Sequence, residues 1–423
     1  MTHARASKIV LASLAALVAS CAGAPATVPP PSPPPANTVA TIAPPEPPKP
    51  KPRTSDRFAV ASENATAVEV ARQILERGGS AVDATIAGVL VGCAAHPSSC
   101  GLGGGGVALV WDPKTAKASV VDFREMAPSG IRRADHLGKA TPKDKRGVMV
   151  GVPGFAAGLA ELHRHGGKLS FADDVNAAAD AIDKGVPVSP YMAQALAWST
   201  KWIADDERAR ALFGGADPES RVGDTLKSPA LVATLRKLAS SGADAFYRGE
   251  VAADVVDSAR AAKSRMTLAD VAAYRAIVRE PLSTDWQGTT LLTAPAPFAG
   301  GFVALETAAV LGPSDLAGEW GSPALIHTQA EAARLANQDR VQLVGDPEFT
   351  KADVEPLLDP AALAGRRAKI RADASTMPKL PSISEGGSYH FVAVDEDGGV
   401  VSLTATLTSL FGAKIVTKSG FVL

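Results

Sequence analysis

The chain has 423 residues, of which 46% are hydrophobic and 21% charged, and its formal net charge is −1. These are the proportions of a globular protein, and the near-neutral charge argues against nucleic acid as a partner. The seven histidines and three cysteines show no spacing typical of metal ligands, so no metal site is predicted. The nearest pair, His163 and His165, lies in a charged helix end and is interpreted as solvated surface.

The N-terminal segment is typical of an export signal. Arg5 and Lys8 precede an apolar run, 9–20, which is too short to span a bilayer. The run ends in Val-Ala-Ser before Cys21, and this pattern resembles the bacterial lipobox. The resemblance implies cleavage before Cys21 and acylation of that cysteine. An ordinary secretory signal with an incidental cysteine is the alternative.

A proline-rich segment follows the predicted signal. Residues 22–53 contain 13 prolines in 32 positions, a composition that favours extended polyproline II and buries no core. At ~3.1 Å per residue such a linker reaches about 100 Å. We therefore expect a signal peptide at 1–20, a lipidated cysteine with its linker at 21–57, and a folded domain at 58–423. The expected location is the periplasm or the outer membrane, with the lipid anchor in the membrane.

Two helices are predicted at the start of the folded part. The segment 65–79 has a helical apolar stripe and ends in two glycines. The residues of that stripe are Val68, Ala71, Ile74 and Leu75. The segment 81–95 is nearly all apolar, which predicts a buried helix. Export would allow a disulfide between Cys93 and Cys100, and two small buried thiols are the alternative.

Strands are predicted on both sides of a helical middle region. A glycine turn at 101–106 feeds a strand, and 117–123 is its predicted partner. Helical patterns dominate 155–274. Near the end, 390–394 and 400–407 predict a hairpin joined by a tight Asp-Gly turn. Strands from distant parts of the chain that share one sheet, with helices between them, indicate an α+β layered domain.

The glycine turn has the composition of a nucleotide-binding loop but not its context. No Gly-Lys-Ser/Thr follows, and the order is helix, loop, strand. The glycines are better explained by a close approach of the backbone to another segment.

Arg124 follows the second predicted strand and is a candidate ligand for a carboxylate. The guanidinium group presents a fixed fork of donors that matches carboxylate geometry. A structural ion pair with Asp122 or Glu125 is the alternative.

Eight segments of the chain, in order, resemble the successive sequence blocks of the γ-glutamyltransferases. They include GGSAVDATIAG, HPSSCGLGGGGVALVWD, DFREMAP, PAPFAGG and YHFVAVDEDGGVVSLTATLTSLFG. The resemblance covers about 58–423 and implies the N-terminal-nucleophile hydrolase fold, a four-layer αββα sandwich whose C-terminal part is incomplete. Residues 58–387 would correspond to the large subunit and 388–423 to a shortened small subunit. It also implies self-cleavage, action on γ-glutamyl amides such as glutathione, and no metal or organic cofactor.

Individual residues take roles from the same resemblance. Arg124 falls on the arginine that holds the substrate carboxylate, and the bond between Gly387 and Ser388 falls where the family cuts itself. Ser388 would be the nucleophile, and Thr406 would support it through a hydrogen bond. Cleavage frees an α-amine whose pKa, about 7.7–8.0, suits a base. Serine lacks the methyl group that restricts χ1 of threonine, so it is aimed less firmly.

The chain also departs from the family pattern. Thr408 stands where the family has an Asn that contacts the glutamyl head. The family continues past the point that matches Leu423, into an acidic residue, a Ser-Ser pair and a Gly-Gly oxyanion loop. Losing oxyanion donors costs about 10²–10³ in rate, so slow or absent self-cleavage is expected. Three interpretations remain: an enzyme of altered efficiency with or without a partner chain, a catalytically impaired envelope lipoprotein that binds γ-glutamyl or amino-acid ligands, and a truncated gene product.

Overall fold

A computed structural model of the chain describes residues 57–135, 143–214, 222–312, 315, 321–351, 353–375 and 387–423. All of them fall in one compact unit, Ser55–Leu423. The predicted signal peptide, Cys21 and the linker up to residue 56 lie outside the described residues. No helix in the described part of the chain has both the length and the apolar character needed to cross a membrane.

In chain order, the strands are β1 (Ala59–Ser62), β2 (Gly105–Asp112), β3 (Lys117–Asp122), β4 (Val186–Pro187), β5 (Thr225–Leu226), β6 (Ile277–Arg279), β7 (Leu282–Trp286), β8 (Thr289–Thr293), β9 (Ser388–Val394) and β10 (Val400–Thr406). The helices are α1 (Ala65–Glu76), α2 (Ala81–Ala95), α3 (Phe155–Arg164), α4 (Phe171–Lys184), α5 (Pro190–Ala197), α6 (Thr200–Asp205), α7 (Glu207–Phe213), α8 (Pro229–Ser241), α9 (Asp244–Tyr247), α10 (Glu250–Ala261), α11 (Leu268–Ala273), α12 (Ala299–Val310), α13 (Pro323–Leu343) and α14 (Pro360–Arg367).

A six-stranded antiparallel sheet organises the domain. Its strand order is β1-β9-β10-β2-β3-β6, so the C-terminal hairpin lies between β1 and β2. This confirms the predicted hairpin, the predicted sharing of one sheet by both ends of the chain, and the α+β class. The other two sheets of the described residues, β4–β5 and β7–β8, have two strands each.

Helix α2 covers one face of the sheet and is buried along almost its whole length, as predicted. Two of its glycines let it lie close to β9. A Cβ at Gly88 would lie 2.3 Å from the ring of Phe391, and one at Gly92 would lie 2.2 Å from the ring of Tyr389. Real Cβ atoms do not approach so closely, so the helix and the sheet meet through backbone on one side and aromatic rings on the other.

Helix α1 forms as predicted, and Asn64 caps it by accepting a hydrogen bond from Ala67 N at 2.9 Å. Its buried face differs slightly from the prediction. Val68 is only half-buried, whereas Ala67 and Val70 are buried with the rest of the stripe. The face is rotated because α1 packs mainly on α2, with β1 as a second neighbour.

The turn between α2 and β2 is closed by a disulfide and brings several segments into backbone contact. Cys93 and Cys100 form the disulfide, which was one of the two alternatives for these cysteines, and this alternative is confirmed. A Cβ at Gly104 would lie 2.2 Å from Thr406 O, and one at Gly105 would lie 2.4 Å from Phe123 O. The predicted close approach of this glycine turn to other backbone is therefore confirmed.

The interpretation of His163 as solvated surface is wrong. His163 lies in the last turn of α3, and its side chain is 23% exposed. Its Nε2 lies 2.8 Å from Leu169 O, in the loop before α4. The ring packs edge-on against Phe171, with ring centroids 5.6 Å apart. The tertiary fold buries this position because the loop after α3 folds back over it.

Candidate active site

The hydroxyl groups of Ser388 and Thr406 meet at one end of the central hairpin. The two residues are direct partners in the β9–β10 register, and Ser388 Oγ donates to Thr406 Oγ1 at 3.2 Å. The tight turn sets that register, since Asp395 N donates to Gly399 O at 3.0 Å. A slip of one residue would move one hydroxyl to the opposite face of the sheet. The sequence pattern of the hairpin thus determines which two hydroxyls are neighbours.

Thr408 fixes the Thr406 hydroxyl from the other side. Its backbone N–H donates to Thr406 Oγ1 at 2.8 Å, so this oxygen accepts two hydrogen bonds. Thr408 has φ = 69°, a left-handed conformation that is uncommon for a β-branched residue. The exposed Thr408 side chain follows from that bend in the chain.

His390 lies two residues after Ser388 and so on the same face of the sheet. Its Nδ1 is 2.8 Å from Thr404 Oγ1, and its Nε2 is 3.3 Å from Ser402 Oγ. Partial desolvation lowers the pKa of His390, which favours the neutral ring. Both ring nitrogens are engaged by hydroxyls of β10, so His390 braces the hairpin and is not placed to serve as a base for Ser388.

Arg124 follows β3, and its backbone is held on two sides. Tyr274 donates its hydroxyl proton to Arg124 O at 2.7 Å, and Arg124 N donates to Asp122 Oδ1 at 3.0 Å. The other Asp122 oxygen accepts from Arg279 Nε at 2.7 Å. The Arg124 guanidinium therefore does not pair with Asp122. Among the described residues its only ionic neighbour is Glu125, at 3.8 Å, and the Arg124 side chain is 45% exposed.

A groove contains the Arg124 side chain and the chain segment that follows Thr406. Arg124 and Thr408 both line it, together with Glu125, Gly103 and Ser409. Burial raises the pKa of Glu125, and the Arg124 guanidinium opposes that shift. The groove therefore presents the half-exposed Arg124 guanidinium and the Thr408 bend to a common space.

The sheet places Ser388, Thr406 and Arg124 along one rim. Ser388 starts β9, Thr406 ends β10 and Gly105 starts β2, and Thr406 pairs with both of the others. A Cβ on Gly105 would lie 3.1 Å from Arg124 C. With strands ~4.8 Å apart, the backbones of Ser388 and Arg124 are separated by about 14 Å.

Two residues near Gly387 were missed by sequence reasoning. A Cβ on Gly387 would lie 2.5 Å from the hydroxyl oxygen of Tyr191 and 3.2 Å from Ser99 Oγ. Ser99 had a signal, since it lies between the two cysteines. Tyr191 had none, because nothing in its local sequence on α5 points to residue 387.

One cluster of potential metal ligands occurs in the described residues. One ligand atom each from Asp83, His163 and Asp174 lie within 4.8 Å of one another. Asp83 accepts hydrogen bonds from Ser80 and from the backbone N–H groups of the loop after α3. His163 Nε2 faces a carbonyl oxygen. We interpret the cluster as a structural hydrogen-bond network, because two of its three members already have partners.

A family model described as gamma-glutamyltranspeptidase matches residues 67–423. The chain is a member of the γ-glutamyltranspeptidase family. It is 33% identical over 394 residues to the glutathione hydrolase proenzyme of Pseudomonas aeruginosa, covering 88% of this chain and 67% of that protein. It is 31% identical over 378 residues to the Escherichia coli K12 glutathione hydrolase proenzyme, covering 86% and 65% respectively. This family member thus spans about two thirds of the length of these curated relatives.

Solved structures support the same assignment. The γ-glutamyltranspeptidase from Pseudomonas nitroreducens, complexed with L-DON, aligns with a TM-score of 0.70 and 30% identity, over 76% of this chain and 96% of that one. A cephalosporin acylase from Bacillus halodurans aligns with a TM-score of 0.75 and 26% identity, over 90% and 72%. The fold of the γ-glutamyltranspeptidase family, expected from the sequence, is therefore confirmed.

Proposed function

We propose that this family member cuts its own chain between Gly387 and Ser388 and then uses Ser388 to cleave γ-glutamyl amides such as glutathione. The observation that carries the proposal is the hydroxyl pair of Ser388 and Thr406, directly after a glycine. The open guanidinium of Arg124 on the same rim supplies a partner for a substrate carboxylate. Water or an amino acid would take the glutamyl group.

The chemistry needs few groups. Ser388 Oγ donates toward Thr406, which orients an oxygen lone pair for attack. After self-cleavage, the α-amine of Ser388 has an ordinary pKa of about 7.7–8.0 and acts as the base for its own hydroxyl. Arg124 would hold the glutamyl carboxylate through its two-pronged fork. Thr408, which lines the same groove, would contact the glutamyl head.

The direct test measures the splitting of the chain and the hydrolysis of γ-glutamyl amides in the same experiment. The purified chain is incubated alone and with glutathione or a chromogenic γ-glutamyl anilide, and gel electrophoresis with N-terminal sequencing follows the chain. We expect slow release of a fragment that begins at Ser388, and amide hydrolysis in proportion to the split fraction. An intact, inactive chain that still binds glutamate would instead support the ligand-binding lipoprotein.

Arg124→Lys is expected to weaken glutamate or glutathione binding by about 1.5–3 kcal/mol, the usual value of a hydrogen bond to a charged group. A lysine ammonium keeps the charge but cannot make the two-pronged contact. Isothermal calorimetry is the measurement, and Arg133→Lys, at an exposed arginine outside the groove, is the matched control. Equal affinity of the parent and Arg124→Lys would remove Arg124 from the proposed site.

We further propose that the mature protein is an exported lipoprotein that begins at acylated Cys21. The apolar run before Cys21 and the proline-rich stretch after it support this proposal. Mass spectrometry of the mature N-terminal peptide should find a diacylglyceryl cysteine, and Cys21→Ser should abolish the modification. An unmodified peptide that starts elsewhere would contradict the anchor.

A further inference from the structure

Two hydroxyl groups that the proposed mechanism does not use lie against Gly387. They belong to Tyr191 and Ser99, and their oxygens are 3.4 Å apart. A Cβ on Gly387 would lie 2.5 Å from the Tyr191 hydroxyl and 3.2 Å from Ser99 Oγ. Hydroxyl groups therefore lie on both sides of the Gly387–Ser388 bond. The Tyr191 and Ser99 hydroxyls lie beside Gly387, and the Thr406 hydroxyl lies beside Ser388.

Ser99 is held rigidly at this place. It is 2% exposed, and its carbonyl oxygen accepts from Leu407 N at 2.7 Å. Leu407 directly follows Thr406, so one backbone hydrogen bond links the Ser99 loop to the strand end that orients Ser388. The Cys93–Cys100 disulfide closes the same loop.

Tyr191 is held by contacts at the start of α5. Ser189 caps that helix by accepting from Met192 N at 3.1 Å, and its hydroxyl lies 3.1 Å from His96 Nε2. The His96 ring packs between Tyr191 and Tyr389, with centroid distances of 6.0 and 5.5 Å. Burial lowers the pKa of His96, so the ring is a neutral spacer.

We propose that the Tyr191 and Ser99 hydroxyls are positioning groups for self-cleavage, which hold Gly387 so that its carbonyl carbon faces Ser388 Oγ. This inference rests on the proposed function. Glycine has no side chain that restricts its own backbone, so its orientation depends on contacts from other residues. The hydroxyl pair on α5 and the disulfide loop is the contact that the fold supplies.

The step that they assist is the shift of an acyl group from nitrogen to oxygen. Ser388 Oγ forms a bond to Gly387 C while the bond from that carbon to Ser388 N breaks. The hydroxyl proton ends on that nitrogen, and the amide becomes an ester with a free amine. Water then cleaves the ester, which leaves a carboxylate on Gly387 and restores the Ser388 hydroxyl. Tyr191 and Ser99 exchange no electrons or protons with the substrate bond.

The test compares Tyr191→Phe and Ser99→Ala with the parent, using the rate of splitting with and without hydroxylamine. Hydroxylamine cleaves the ester, so it accelerates any variant that forms the ester but hydrolyses it slowly. We expect each substitution to slow splitting about tenfold, because Gly387 loses one of the two groups that position it. Hydroxylamine should not restore the parent rate, because the defect precedes the ester. Hydrolysis of a γ-glutamyl anilide per split chain should stay within about twofold, because Gly387 is then no longer joined to Ser388.

Ser98→Ala is the matched control, since its hydroxyl belongs to the same loop, is buried and has no partner among the described residues. It should split at the parent rate, and thermal unfolding should show that all variants fold. Parent-like splitting of both test variants, equal slowing by Ser98→Ala, or full rescue by hydroxylamine would each overturn the inference alone. A parent chain that never splits, even with hydroxylamine, would overturn the proposed function and this inference together.

Discussion

Ser388→Ala is expected to leave the chain intact under conditions in which the parent releases residues 388–423. The alanine has no hydroxyl to attack the carbonyl carbon of Gly387, and no N-terminal nucleophile can form. Amide hydrolysis should be lost together with the split. Gel electrophoresis over days, with N-terminal sequencing of the small fragment, is the measurement. The effect should be complete, because the alanine side chain has no oxygen that could form the ester with Gly387.

Variants of the neighbouring hydroxyls separate this chemistry from a loss of folding. Ser402→Ala removes a hydroxyl from the same face of the hairpin, where it contacts His390, and should split like the parent. Thr406→Val keeps the side-chain shape but removes the acceptor of the Ser388 hydrogen bond, so it should split more slowly. Thr406→Ser should restore most of the rate. Splitting of Ser388→Ala at the same bond would contradict the assignment of the nucleophile.

Asp174→Asn is expected to stabilise the protein at pH 7, by about 2–4 kcal/mol. Asp174 lies on α4 with 0% exposure, and no hydrogen-bond donor of the described residues reaches either carboxylate oxygen. Burial and the facing Asp83 carboxylate raise its pKa to about 9. The neutral carboxyl can donate a hydrogen bond to Asp83, and an asparagine amide can do the same without titrating.

The sign of the pH dependence follows from the raised pKa. The native state binds this proton and the unfolded state, with an ordinary pKa of ~3.9, does not. The stabilising contribution is therefore complete below about pH 4 and is lost as the pH rises toward 9, by at most ~1.4 kcal/mol per unit. Asp173 adds to the upward shift, and Arg77 opposes it. His163 is the remaining titratable neighbour in the cluster.

Urea unfolding at pH 5, 7 and 8.5 checks this prediction. The parent should lose stability across the range, and Asp174→Asn should lose much less. Asp183→Asn is the matched control, because it makes the same charge change at an exposed position of the same helix. An Asp174→Asn protein that is less stable than the parent at pH 7, or that keeps the parent's pH slope, would show that the ionised carboxylate is tolerated.

The helices and strands were predicted well, because the residue patterns that indicate them lie within short stretches of sequence. The strand-turn-strand pattern around Asp395 sets the hairpin register through the turn itself. The apolar run 81–95 can only be a buried helix, and it is one. The buried face of α1 differs from the predicted stripe, because Val68 was predicted to be buried and is only half-buried. The buried face depends on two neighbouring elements and not on periodicity alone.

Contacts between residues that are far apart in the sequence could not be predicted from local patterns. The sequence offered Asp122 as a partner for Arg124, two residues away, but β6 brings Arg279 to that carboxylate instead. The partner of an arginine is decided by which strand lies alongside, and this depends on sheet order. The proximity of Tyr191 to Gly387 could not be predicted for the same reason, because the two residues are almost 200 positions apart in the sequence.

The sequence by itself determined the order of the family blocks, the hairpin that starts at Ser388, and the position of a hydroxyl directly after Gly387. These features depend on residue type and on short spacings along the chain, which are the same whatever the tertiary packing. The tertiary structure decided that Thr406, Thr408 and Arg124 share one rim of the sheet, and that the Arg124 guanidinium is left open toward a groove. Those features follow from strand order and from close backbone approach at glycines, because only packing brings distant residues within hydrogen-bond range.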